Sequence, residues 1–176
     1  MRKQTNTNRD KNDQRMASMT QLPAVGDKPP LFSLPVTDGG AFDLAAHLGR
    51  SAVVLFFYPK DDTSGCTVEN IDFSALYEDF RKDGITVVGV SPDPLRKHEK
   101  FRAKHALTVP LVADEEKQAL QAYGVWVEKS MYGRKYMGVE RSTFLIGQDG
   151  RIARVWRKVK VPGHAKEVLE AARALD

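Results

Sequence analysis

A single cysteine, Cys66, stands in a chain of 176 residues. One sulfur excludes an intramolecular disulfide and a cysteine-rich metal site. It points to a reducing, cytoplasmic setting, where thiols persist. Long apolar runs are also missing. The longest, Ala52 to Tyr58, has strand length and falls far short of the roughly 18 residues that cross a bilayer. The first 25 residues lack the apolar core of a secretory signal and are rich in Asn, Gln, Lys and Arg. Asp10 and Asp13 count against a transit peptide.

The sequence pI of 9.2 raises the question of a nucleic-acid partner. Position answers it. Residues 1–25 hold Arg2, Lys3, Arg9, Lys11 and Arg15 against Asp10 and Asp13, which is +3 of the formal +4. The remaining body is nearly neutral, whereas a nucleic-acid domain concentrates base on its folded surface. The expectation is a disordered extension over 1–24 and one domain over 25–176, with neither nucleic acid nor membrane as partner.

What is present alternates strand and helix. Ala52 to Tyr58 is a continuous apolar run rich in β-branched and aromatic residues, and reads as a buried central strand ended by Pro59. Thr67 to Lys82 places Ile71, Leu76, Tyr77 and Phe80 at helical spacing, with Gly84 as the stop. Leu31 to Leu34 is a weak strand and Ile85 to Val90 a buried one. Pro94 to His105 is a charged helix, Pro110 to Ala113 a short strand, and Glu115 to Tyr123 a short helix. Residues 124–140 read as a loop or hairpin arm. Gly147-Gln-Asp-Gly150 is a turn joining strands Thr143 to Ile146 and Ile152 to Val159, and Pro162 to Leu175 closes the chain as an amphipathic helix. This order describes an α/β domain with a mixed central sheet flanked by helices.

Cys66 lies where the buried strand passes into a helix. Unpaired N–H groups and the helix dipole at such an end favour thiolate over thiol. Moving a cysteine from a pKa of about 8.5 to about 6 takes roughly 3.4 kcal/mol. One helix end supplies about 0.5–2 kcal/mol. A second source is therefore expected, a cation with a hydroxyl. The alternative is an inert buried cysteine.

Pro59-x-x-x-Thr63-x-x-Cys66 resembles the peroxiredoxin active-site motif. Phe57-Tyr-Pro-Lys-Asp61, Gly65-Cys-Thr67, Val88-Gly-Val-Ser91 and Arg141-Ser-Thr-Phe144 are similar to the peroxiredoxin Q, or bacterioferritin comigratory protein, subfamily. The resemblance runs from about Val25 to the C-terminus. It implies a thioredoxin-like fold and a thiol-dependent peroxidase acting on hydrogen peroxide and organic hydroperoxides. Cys66 would be the peroxidatic group. Thr63 would donate to sulfur or peroxide oxygen while accepting a bond. Arg141 would stabilise the thiolate and the leaving oxygen, Pro59 would shield the sulfur, and Glu69 could orient Arg141 or be a solvated carboxylate. Neither metal nor organic cofactor is implied.

Two departures stand out. The resolving cysteine that many relatives carry five residues after the first is Ile71 here, so an external thiol (thioredoxin, glutaredoxin or a low-molecular-weight thiol) must regenerate Cys66. Ser64 replaces a common proline and loosens the turn. A peroxide-sensing switch, a thiol–disulfide oxidoreductase and a non-catalytic scaffold remain as alternatives, and monomer and homodimer are both open. His47, His98, His105 and His164 show no metal-binding spacing and read as surface residues. Arg154, Arg157, Lys158 and Lys160 around Trp156 read as a solvated strand face or an anion patch, and Trp126, Tyr132 and Tyr136 as pocket lining or loop packing.

Overall fold

The computed structural model describes residues 22–175. The expected disordered extension over 1–24 therefore lies outside the described residues, apart from Leu22, Pro23 and Ala24.

Among the described residues the chain runs β1 (Ser33–Pro35), β2 (Ala41–Asp43), a 3-10 turn (Leu44–Ala46), β3 (Ala52–Phe57), α1 (Ser64–Ala75), α2 (Tyr77–Lys82) and β4 (Ile85–Ser91). It continues with α3 (Leu95–His105), β5 (Leu111–Ala113), α4 (Gln118–Ala122), β6 (Trp126–Met131), β7 (Arg134–Val139), β8 (Ser142–Ile146), β9 (Ile152–Trp156) and α5 (His164–Arg173).

The central sheet has the order β5-β4-β3-β8-β9. β3 pairs in parallel with β4 and antiparallel with β8, so the sheet is mixed, with helices against it. The apolar run is its middle strand. Because strand side chains alternate, β3 divides its residues between two layers. Val53, Leu55 and Phe57 join Tyr123, Phe144 and Ile146 on one face. Val54, Phe56 and Tyr58 join Cys66, Phe73, Phe80, Phe101 and Val168 on the other. Phe56 stacks on Phe73 with ring centroids 4.2 Å apart. Gly89 makes that stack possible, since a Cβ there would meet the Phe56 ring at 2.7 Å.

The helix expected over Thr67 to Lys82 is two. The break falls at Leu76, with φ −98° and ψ 0°, and Phe73 and Phe80 both reach the same layer, their ring centroids 6.1 Å apart. Residues 124–140 form a two-stranded arm, β6 with β7, whose tip residue Tyr132 is 98% exposed. No helix among the described residues is long and apolar enough to cross a membrane.

Candidate active site

β3 delivers the chain to Pro59, and the loop after it ends at Thr63, the extended N-cap of α1. Cys66 is the third residue of that helix and only 1% exposed. The first bond of the helix runs from the Thr67 N–H to the Thr63 carbonyl at 2.8 Å. The N–H groups of Ser64, Gly65 and Cys66 therefore lie ahead of the intrahelical ladder, at the end that carries the sulfur. That end of the helix favours an anion.

Arg141 arrives between β7 and β8, just before the strand that pairs with the end of β3 at Phe57 and Ser142. Its backbone carbonyl accepts from the Val159 N–H at 2.9 Å. Its guanidinium spans two acidic partners. Nη2 donates to Cys66 Sγ at 3.3 Å, and Nη1 donates to Glu69 Oε1 at 2.7 Å. Gly65 leaves room for it, because a Cβ there would stand 3.2 Å from Nη2. Burial opposes the charge on Arg141, but Glu69 and Cys66 outweigh it and raise its pKa. Cys66, Arg141 and Glu69 are thus brought together.

Thr63 sits differently from expectation. Its hydroxyl donates to the Lys60 carbonyl at 2.7 Å, and no hydrogen bond joins it to Cys66 among the described residues. With the proton committed, the lone pairs of its oxygen are what it offers a substrate. Pro59 is partly buried at the head of the loop and contributes no N–H. Ile71 is 42% exposed on α1.

Glu69 is 1% exposed, and its Oε2 has no hydrogen-bond partner. Burial pushes its carboxyl up from 4.5 to about 7, although Arg141 pulls it down. Between those two values an unfolded chain has lost the proton that the native chain keeps. The contribution of Glu69 to stability is therefore full below pH 4.5 and is lost as pH rises to about 7. The decline amounts to about 3 kcal/mol at most. The Glu69→Gln protein should lack it when melting temperature is followed against pH. A variant with the same decline would place its origin elsewhere.

Sequence reasoning missed Lys129 on the arm. It is half-buried on β6, and burial and the Arg141 charge lower its pKa, while Cys66 and Glu140 pull it back up. Only the fold reveals this, because Lys129 reads locally as one more exposed charge on a hairpin.

Two of the four histidines expected at the surface are buried. His98, on the inner side of α3, is fully buried. His164 bonds Thr143 Oγ1 at 2.8 Å, and burial lowers it to about 4, so it is neutral near pH 7. The basic cluster is partly absorbed: Arg154 pairs with Glu167 at 3.0 Å and lies over Trp156, and Arg157 lies over Phe144.

The sequence profile of the AhpC/TSA family matches residues 25–155. The chain is 43% identical over 159 residues to "Peroxiredoxin Bcp" of Xanthomonas campestris, covering 89% of this chain and 96% of that one. It is 43% identical over 149 residues to "Peroxiredoxin Bcp" of Bacillus subtilis, covering 85% and 94%. A solved structure of the Xanthomonas campestris bacterioferritin comigratory protein superposes with a TM-score of 0.76 at 44% identity, covering 81% of this chain and 90% of that one. That structure is described as a trapped intermediate and ligand complex bearing on alkyl peroxide reduction.

Proposed function

The chain belongs to the AhpC/TSA family, among the peroxiredoxins of the Bcp or Q type with a thioredoxin-like fold, and from that membership we propose that it reduces hydrogen peroxide and organic hydroperoxides at Cys66. The observation that carries the reading is the 3.3 Å donation from Arg141 to a sulfur at the start of a helix.

The Cys66 thiolate attacks one peroxide oxygen. An S–O bond forms as the O–O bond breaks, and the leaving alkoxide or hydroxide takes up a proton. Cys66 becomes a sulfenic acid, and the products are an alcohol or water. Arg141 donates to the sulfur beforehand and to the oxygen on which charge develops. Thr63 accepts the peroxide O–H through the lone pairs left free by its bond to Lys60. Pro59 keeps a competing donor out of the loop, and Glu69 holds the guanidinium by its second nitrogen. No step calls for a metal or an organic cofactor.

With Ile71 in the resolving position, regeneration falls to an outside thiol. It attacks the sulfenic sulfur and releases water, and a second thiol cleaves the mixed disulfide to return Cys66. Thioredoxin, glutaredoxin or a low-molecular-weight thiol supplies this chemistry, in the cytoplasm, to a monomer or homodimer.

Peroxide consumption with excess external thiol is the test. Many turnovers per chain are expected with at least one of these reductants. Consumption that stops after one equivalent across the whole panel would replace the enzyme with a peroxide-sensing switch.

A further inference from the structure

The catalytic loop is anchored by a buried polar cluster that the chemistry above leaves unused. Asp61 lies in the loop, five residues before Cys66, with its side chain fully buried. Tyr58, at the end of β3, donates its hydroxyl to Asp61 Oδ1 at 2.6 Å. Burial and Asp61 itself raise the Tyr58 pKa far above its ordinary value, so it remains a donor. His98, from α3, meets Asp61 Oδ2 through Nδ1 at 2.6 Å. Its Nε2 lies 3.0 Å from the Val112 carbonyl, which can only accept, so Nε2 carries a proton. The Asp61 backbone N–H donates to Asp93 Oδ2 at 2.8 Å, and Asp93 is held in turn by the Ser91 hydroxyl and Lys97.

Asp61, Asp93 and His98 bring their polar atoms within 4.8 Å of one another, which suggests a metal site. The hydrogen bonds argue otherwise. Both ring nitrogens of His98 and both carboxylate oxygens of Asp61 already have protein partners. The cluster joins protein to protein. It ties the loop to β3, to α3 and to the segment after β4. Asp62 extends the attachment at the surface. It stands at φ +60°, a left-handed backbone, and α3 holds its carboxylate through Lys104 at 2.7 Å and His105 at 3.0 Å. Thr63 follows directly, with its hydroxyl turned back to Lys60.

We propose that His98 is a positioning residue for the peroxidase reaction: through Asp61 it fixes the bend over 60–63, and with it Thr63 and the first turn of α1 at Cys66. Helix α3 thereby governs the sulfur without touching it or the substrate. A loosened bend frays that turn, and the sulfur loses the ordered helix end and its alignment with Arg141.

The inference rests on Cys66 being the reactive sulfur, so its test includes a readout that needs no peroxide. Two substitutions divide the histidine. In His98→Asn the amide nitrogen falls near the place of Nδ1, which keeps the Asp61 bond and gives up Val112. In His98→Gln the amide nitrogen reaches toward the place of Nε2, which keeps Val112 and gives up Asp61. Both full-length proteins and the wild type are compared by stopped-flow oxidation with hydrogen peroxide, by the pH profile of iodoacetamide alkylation of Cys66, and by melting.

His98→Gln is expected to oxidise about tenfold more slowly, a modest misplacement of a reacting group. Its alkylation midpoint should move to higher pH. His98→Asn should stay within about twofold of wild type, because the tether to the loop survives. Equal impairment of the two, or a lower melting temperature in His98→Gln with unchanged oxidation rate and alkylation profile, would reduce His98 to a structural residue. If His98→Gln does not fold, Tyr58→Phe takes its place. That variant removes the other donor to Asp61, together with the longer contact of the same hydroxyl with His98 Nδ1 at 3.4 Å, and should shift both readouts in the same direction, and no shift would overturn the inference. A wild type inert to peroxide, with an alkylation profile that still responds to these substitutions, would remove the peroxidase reading and leave the tether standing.

Discussion

The Cys66→Ser protein should consume no hydroperoxide above the background of thiol alone, while keeping its fold. The serine hydroxyl cannot become an anion near neutral pH, so no nucleophile remains. No second cysteine exists to take over. Stability should change little. Serine is smaller than cysteine, and its oxygen still has the Arg141 N–H to accept from. A buried hydroxyl with a partner costs about 1 kcal/mol or less against the thiol. A peroxide assay with each thiol of the panel, paired with a melting curve, checks both halves. Measurable turnover in a folded Cys66→Ser protein would move the chemistry to another group.

Arg141→Ala should lower the second-order rate constant for Cys66 oxidation by about 10²–10³, the range for removing one preorganised donor from developing charge. It should cost far less stability than the roughly 3–5 kcal/mol of a stranded buried charge. The reason is Glu69. Its carboxyl already titrates at about 7 with the guanidinium beside it, and without that cation it takes up a proton and becomes neutral. Arg141→Lys should recover only part of the rate, because an ammonium group lacks the fork that spans Sγ and Oε1. Adding Glu69→Gln to Arg141→Ala should leave the rate as low as in the single variant. Stopped-flow oxidation separates these cases. Unchanged oxidation in Arg141→Ala would remove the arginine from the mechanism.

Local chemistry explains how far the sequence could be read. Ala52 to Phe57 is a strand because few other structures suit so compact a run of β-branched and aromatic residues, and Gly147 to Gly150 turns the chain wherever it is met. Cys66 stood out locally, because it lies where a buried strand passes into a helix, whereas the roles of Pro59 and Thr63 came from the family resemblance. The contact of Cys66 with Arg141, 75 residues away, has no local signal and entered only through that resemblance. His98 had no such help. Between Arg96 and Arg102, α3 carries Lys97, Glu99 and Lys100, so a histidine there reads as one more polar group on a solvated face. Its burial depends on where Asp61 and Val112 arrive from other elements. The break at Leu76 was hidden for a related reason. Neither proline nor glycine marks it, and the turn becomes visible only in the layer that Phe73 and Phe80 share.

That layer also contains Cys66, 1% exposed alongside Phe56, Tyr58 and Phe73. Each oxygen added to the sulfur swells a side chain in a region without slack, and the higher acids bring a permanent charge into it. Chemical history is therefore written into cohesion. A heat scan of the purified protein doubles as a dosimeter, with damaged molecules unfolding ahead of intact ones.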